Sequence, residues 1–278
     1  MAYKNTLKSF VPPIILALFH FLNQRNSVHF TGVYVNWKSA LKDSKGYDSD
    51  AILQQAITKT QLVVSGKVAY ERDGVVFEDN SYSYQLLALL LRAATENNNK
   101  LKVLDFGGSL GSTYYQCRSF LQGIDNLKWC VVEQRHFAEA GNRYFVNDIL
   151  SFHNTIADSI NLHQPSVALF SGVLQYLPEP YAILQEAIAS KADYIMIDRN
   201  PFIVKGGTVL SLQKVPKSIV ESSYPVWLFN ESELKGLFFG KYSEITTFDA
   251  LDGTIGFGQL KANFKGIIYK KMKEKDND

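Results

Sequence analysis

Short apolar runs alternate with amphipathic stretches through the middle of the chain. Leu101–Phe106, Lys128–Glu133, Ser166–Ser171 and Tyr194–Asp198 read as strands, and a further strand falls within Tyr144–Phe152. Helices are predicted from Ser112 to Leu121, from near His136, and from Pro180 to Ser190. Strands this continuously apolar belong to a parallel sheet covered on both faces, so the fold class is α/β. Upstream, Tyr84–Ala94 is a strong helix ended by Asn97-Asn98-Asn99. Downstream, Tyr242–Phe248 and Phe264–Lys271 are extended runs joined through glycines, expected to close the sheet as an antiparallel pair.

Residues 1–80 follow no such alternation and are expected to form an N-terminal elaboration or cap on a main domain of residues 81–278. Within the cap, Ser49–Thr60 is helix-like, Lys45-Gly46-Tyr47 is a turn, and Asp73-Gly74 turns between the extended runs Lys67–Arg72 and Val75–Glu78. Val11–Leu22 is apolar but short of the roughly 20 residues that span a bilayer, and no small-residue cleavage site follows it. Its expected place is against the body of the protein, against a second copy, or at a membrane surface. The Lys270–Asp278 tail carries both signs of charge and reads as a solvated end.

The chain has 278 residues, a length that suits one large α/β domain. Its 29 Lys+Arg nearly balance 27 Asp+Glu, so no basic field draws it to nucleic acid. Two cysteines, Cys117 and Cys130, make neither a disulfide scaffold nor a cysteine-rich zinc site, and a reducing compartment, the cytoplasm, is expected. The five histidines form no ligand motif, so no metal is expected.

The sharpest chemical feature is Val103-Leu-Asp-Phe-Gly-Gly-Ser-Leu-Gly111. Glycines after the first strand of such a sheet let a ligand approach the backbone closely. The G-x-G-x-x-G spacing of dinucleotide sites is not supplied, and Asp105 at the strand end disfavours a pyrophosphate. An acid there suits an ammonium or sulfonium, and S-adenosylmethionine carries both without a phosphate. Glu133 ends the second strand about twenty residues on, where nucleoside-binding sheets place a carboxylate for the two ribose hydroxyls.

The pair of motifs resembles the class I S-adenosylmethionine-dependent methyltransferase family, whose first motif is acid-x-Gly-x-Gly-x-Gly. Asp105–Gly111 matches it, except that Ser109 replaces the middle glycine. Ser171-Gly-Val-Leu-Gln-Tyr-Leu-Pro178 looks like the family's fourth-strand segment. Trp37-Lys-Ser-Ala40, Gly46-Tyr-Asp48, Trp129–Gln134, Ile197-Asp-Arg199, Gln213-Lys-Val-Pro216 and Ser223-Tyr-Pro225 are similar to a bacterial group of methyltransferases associated with surface-polysaccharide loci. The resemblance implies a Rossmann-like methyltransferase fold: a mostly parallel seven-stranded sheet with a C-terminal antiparallel strand pair and helices on both faces. It implies S-adenosylmethionine as cofactor, with Asp105, Gly107, Gly108, Ser109 and Gly111 around its amino-acid end. Glu133 and Gln134 would lie at the ribose, Asp148, Leu150 and Phe152 at the adenine, and Ser171, Gly172 and Gln175 near the reacting methyl.

Methyl transfer to a hydroxyl needs a positioned acceptor and a group that takes its proton. His153, Tyr176, Asp198 and Arg199 are the polar candidates at the same edge; Asp198 and Arg199 either ion-pair locally or meet substrate. The long connection at about 200–227, with Gly206-Gly207, Tyr224 and Trp227, reads as a lid over a small-molecule acceptor, such as a sugar or glycolipid precursor. Two other classes stay open: a non-catalytic methyltransferase-fold subunit, and an NAD-dependent sugar-modifying enzyme, for which both Tyr-x-x-x-Lys spacings fall outside the expected place.

Overall fold

The computed structural model describes residues 29–45, 49–72, 74–79, 81–215, 222–257 and 260–273. Val11–Leu22, the turn at Gly46 and the end of the tail lie outside the described residues. No helix among the described residues is long and apolar enough to cross a membrane.

A seven-stranded sheet organises the molecule. It contains β4 (Lys100–Phe106), β5 (Asn126–Val132), β6 (Leu150–His153), β7 (Val167–Ser171), β8 (Tyr194–Ile203), β11 (Tyr242–Phe257) and β12 (Leu260–Lys271), in the order β11-β12-β8-β7-β4-β5-β6. β12 runs antiparallel to both neighbours, and the pairs from β8 through β6 are all parallel, so the sheet is mixed. The chain leaves β4 toward β5 and β6, then crosses to β7 and β8 on the other side. That reversal makes the carboxyl ends of β4 and β7 a topological switch point, where open sheets of this kind bind ligands.

Side chains alternate between the two faces with the two-residue period of a strand. Leu101, Val103, Trp129, Val131, Leu169 and Met196 enter a core with α2 (Ser49–Val64), α3 (Tyr84–Glu96), α4 (Ser112–Cys117) and α5 (Arg135–Tyr144). Leu104, Val132, Phe170, Ile195 and Ile197 enter the opposite core with α6 (Ile156–Leu162), α7 (Pro180–Ala189) and α8 (Glu231–Gly236). The helices start where the sequence supplies caps: Ser83 accepts from the Leu86 amide, Thr155 from the Asp158 amide and Asn230 from the Glu233 amide.

Two smaller sheets accompany it among the described residues. β2 (Tyr70–Arg72) and β3 (Val75–Phe77) form the expected hairpin, with the Tyr70 and Phe77 rings stacked at 4.5 Å. β1 (His29–Tyr34), β9 (Val209–Val215) and β10 (Ser222–Leu228) form a three-stranded antiparallel sheet. The strand expected to end at Asp198 continues to Ile203, and the connection after it is this β9–β10 hairpin. Helix α1 (Trp37–Lys42) packs on the hairpin, where Trp37 stacks against Trp227 at 6.2 Å.

Candidate functional site

The turn after β4 has a conformation that its residues explain. Gly107 (φ +72°), Ser109 (φ +54°) and Gly111 (φ +92°) are all left-handed, a region costly for any residue with a Cβ. Gly107 is required twice over, because a Cβ there would lie 2.4 Å from Val173 Cγ2. Gly108 leaves the space that Asp105 fills: a Cβ would meet Asp105 Oδ2 at 2.5 Å. Ser109 occupies the left-handed position of the missing glycine, and its amide donates to Glu133 Oε1 at 3.1 Å. The substitution therefore leaves the turn intact and adds about 1 kcal/mol of backbone strain.

Asp105 lies beneath this loop, 1% exposed, and its Oδ2 accepts from the Trp129 indole Nε1 at 3.0 Å. Burial pushes its carboxyl up to about 7; the indole opposes the rise and the nearby Glu133 adds to it. Glu133 follows β5. Its Oε1 and Oε2 accept the Ser109 and Gln134 amides at 3.1 and 2.9 Å, which opposes the upward push of its burial. Each carboxylate oxygen has a further acceptor site beyond the amide it holds. Gln134 contributes its backbone as the first residue before α5, with an exposed side chain.

On the other side of the switch point, Asp198 stands beside Ser171 in the β7–β8 ladder. A bulge forms here: Asp198 and Arg199 oppose Gly266 alone between the Ile197–Ile267 and Asn200–Lys265 pairs, and Arg199 is left-handed at φ +57°. Bulges re-aim side chains, and this one brings Asp198 to the lining of a cavity. The cavity has a volume of about 390 Å³ and is lined by Arg72, Tyr82, Tyr84, Gln85, Asp198 and Arg199, among others. Asp198 is 4% exposed and accepts the Arg199 amide at 2.9 Å. Burial raises its carboxyl to about 6, against the pull of the Arg199 charge and amide and of Arg72. Arg199 itself is paired locally, its Nε and Nη2 reaching the Asp252 carboxylate at 3.1 Å.

Gly172 (φ +68°) donates its amide to the Asp198 carbonyl at 2.8 Å. Gln175 is buried, donates to the Arg199 carbonyl at 3.4 Å, and has a side-chain oxygen without a partner; the side-chain oxygen of buried Asn200 is likewise unpaired. Tyr176 donates to Gln213 Oε1 at 3.1 Å, and Gln213 donates to the Tyr224 hydroxyl at 2.6 Å, tying this segment to the β9–β10 hairpin.

The third strand differs from expectation. Asp148 precedes Leu150, the first residue of β6, and so lies at the edge opposite the carboxyl ends; its carbonyl accepts from Lys128 Nζ. Leu150 and Phe152 point into the α2–α5 core, Leu150 under Gly111 and Phe152 against Gly141, so neither reaches that edge. The reason is register: Asn147 Oδ1 caps the Ile149 and Leu150 amides in a turn, which delays the strand to Leu150. His153 ends β6 and its carbonyl accepts the Glu133 amide. Its ring contacts Ser151 Oγ at 3.0 Å and burial lowers its pKa. Three strands separate it from β8, so it is not brought together with Tyr176, Asp198 and Arg199.

Sequence reasoning missed Arg72, which comes from a three-residue strand, and Ser81–Gln85, which lead into the first turn of α3 and line the cavity. No group of three metal-binding side chains exists among the described residues, and Cys117 and Cys130 are free and buried.

No family model matches the chain, and no curated protein matches it. The solved structures similar to it include the N-terminal domain of EvdMO1 with SAH bound, at 13% identity and a TM-score of 0.44 over 82% of this chain and 98% of that one. SAM-bound CalS10, an amino pentose methyltransferase from Micromonospora echinaspora, gives 8% identity and a TM-score of 0.45 over 69% and 92%. Burkholderia thailandensis 1,6-didemethyltoxoflavin-N1-methyltransferase gives 13% and 0.41 over 88% and 100%. Likenesses at this level assign no activity or ligand to this chain. The chain's own strand order and directions give an open α/β fold with a central mixed sheet.

Proposed function

We propose that the chain is a methyltransferase that takes S-adenosylmethionine as cofactor and methylates an oxygen or nitrogen of a small molecule. The observation that carries this reading is the closure of the Gly107–Gly111 turn onto the Glu133 carboxylate at the switch point, above a buried acid. The residues fit that cofactor. Gly107 and Gly108 let the turn close on Val173 and Asp105, where any Cβ would collide, and Glu133 is held by two amides with acceptor capacity left for a ribose diol. Asp105 puts an acid, not a phosphate-binding amide nest, beneath the loop, which favours a cationic ligand over NAD.

The bound cofactor supplies an electrophilic methyl on a sulfonium. The chain's own residues orient an acceptor and take its proton. Asp198 is the residue suited to taking the proton, because it lines the cavity, and a carboxyl titrating near 6 is ionised yet basic enough at neutral pH to accept one from a hydroxyl. Arg199, paired with Asp252, positions Asp198 through its amide and charge. Ser171, Gly172 and Gln175, which pair with or bond to the Asp198–Arg199 backbone, and Tyr176 beside them would lie near the reacting methyl. His153 is the less favoured base, since it sits four strands away.

The acceptor we favour is a sugar or glycolipid precursor in surface-polysaccharide synthesis, on the resemblance of the Trp37, Ile197 and Gln213 phrases. Tyr82 and Tyr84 in the cavity lining suit a sugar face. The hairpin tied to Tyr176 through Gln213 would act as the cover.

Calorimetric titration with S-adenosylmethionine, S-adenosylhomocysteine and NAD tests the reading. Wild type is expected to bind the two adenosyl ligands and not NAD, and Glu133→Ala to bind them at least about a hundredfold more weakly. Binding of NAD alone, or of none of the three, would overturn it.

A further inference from the structure

Arg72 takes no proton in the chemistry proposed for Asp198, yet it is held in place by several contacts. Its neighbour Glu71 is 4% exposed, accepts the Gly74 amide at 2.8 Å through Oε1, and accepts the Ser112 hydroxyl at 2.5 Å through Oε2. That bridge fixes the β2–β3 hairpin to the first residue of α4, the helix that begins at the glycine turn. Arg72 lies over the Tyr70 ring at 5.6 Å and gives one N–H to Gln116 Oε1, while Gln116 Nε2 is engaged by the Ser81 carbonyl. A guanidinium has five N–H donors and stays charged at all relevant pH. Among the described residues no carboxylate forms an ion pair with it. It lines the same cavity as Asp198, near enough for their charges to interact but without a salt bridge between them.

A partly buried arginine with an amide as its polar partner is electrostatically incomplete, and an anion entering the cavity would complete it with a charge-assisted, forked pair. We propose that Arg72 is the anion-binding residue of this cavity and holds a carboxylate of the bound ligand. Taking the cavity as a ligand site rests on the methyltransferase reading. Two sources present that chemistry: the amino-acid end of the cofactor, and an acidic group on the acceptor.

Two pairs of probes separate the outcomes, each titrated into wild type, Arg72→Gln and the charge-retaining Arg72→Lys. S-Adenosylhomocysteine and 5′-methylthioadenosine share the nucleoside and thioether, and the amino-acid end distinguishes them. Glucuronate and its neutral twin glucose are added to protein saturated with S-adenosylhomocysteine. If the cofactor supplies the carboxylate, wild type prefers S-adenosylhomocysteine by roughly ten- to a hundredfold. Arg72→Gln then erases the preference without changing methylthioadenosine affinity, and Arg72→Lys restores part of it. If the acceptor supplies it, S-adenosylhomocysteine affinity is unchanged in Arg72→Gln, and glucuronate binding, unmatched by glucose, is lost.

A wild-type protein with neither preference overturns the assignment without any variant. So does an Arg72→Gln protein that keeps whichever preference wild type has. Should wild type bind glucuronate through Arg72 but neither adenosyl ligand, the assignment stands and the methyltransferase reading falls.

Discussion

Asp105 and Asp198 are both buried acids on the same face of one sheet, Asp105 near the end of β4 and Asp198 at the bulge within β8, yet they have different surroundings. Asp105 is covered by the glycine turn and bonded to an indole, so its charge shapes the floor of the site. Asp198 is turned out by a bulge into the lining of a cavity, so its charge is available to whatever enters. What differs is the backbone on either side: three left-handed residues close over the first acid, and one left-handed residue opens the second. Acids on one face of one sheet can therefore serve as a structural support and as a reactive group, and local backbone conformation decides between the two.

The largest effect should come from closing the turn. Gly107→Ala puts a Cβ 2.4 Å from Val173 at a left-handed φ. A loss of about 3 kcal/mol in urea unfolding is expected, with S-adenosylhomocysteine binding reduced more than a hundredfold. The matching change at Gly172, left-handed but with its nearest neighbour 3.4 Å away, should cost less.

The two acids also differ in pH dependence. Each keeps its proton in the folded chain at pH values where the unfolded carboxyl has lost it, so folding takes up a proton and stability falls as pH rises. For Asp105 the decline spans about pH 4 to 7 and is worth on the order of 4 kcal/mol; for Asp198 it spans about 4 to 6 and on the order of 3. Urea melts across this range should flatten up to pH 7 in Asp105→Asn, and only up to pH 6 in Asp198→Asn. Identical curves for the two variants would remove the distinction. Asp105→Asn should also retain the Trp129 hydrogen bond, since an amide oxygen accepts as the carboxylate does.

Smaller effects separate the two regions further. Ser109→Gly relieves a left-handed serine and should raise the unfolding free energy by about 0.5–1 kcal/mol with ligand binding unchanged. Tyr176→Phe removes the bond to Gln213 and should cost about 1 kcal/mol or less, read as a drop in melting temperature.

Much of this was legible in the sequence, for physical reasons. The central strands are continuous apolar runs, and the glycine turn and Glu133 follow two of them at the spacing a ligand edge needs. β6 was not, because its four residues are preceded by a stretch that looks extended but forms the end of α5 and the Asn147 turn. That shift leaves Asp148 ahead of the strand and Leu150 at its start, while Phe152 stays near its carboxyl end with its side chain in the core. Arg72 was hidden because one charge in a three-residue strand reads as solvated surface until Glu71 and Gln116 are seen to hold it. The β1–β9–β10 sheet joins residues about 180 positions apart, a pairing no local pattern announces.

A crystal structure of the chain with S-adenosylhomocysteine would decide whether the switch point is the cofactor site. The ribose hydroxyls are expected within hydrogen-bonding distance of the Glu133 carboxylate, with the thioether over the Gly107–Gly111 turn and facing the Asp198 cavity. A ligand bound elsewhere, or Glu133 still engaged by the Ser109 and Gln134 amides alone, would contradict the assignment.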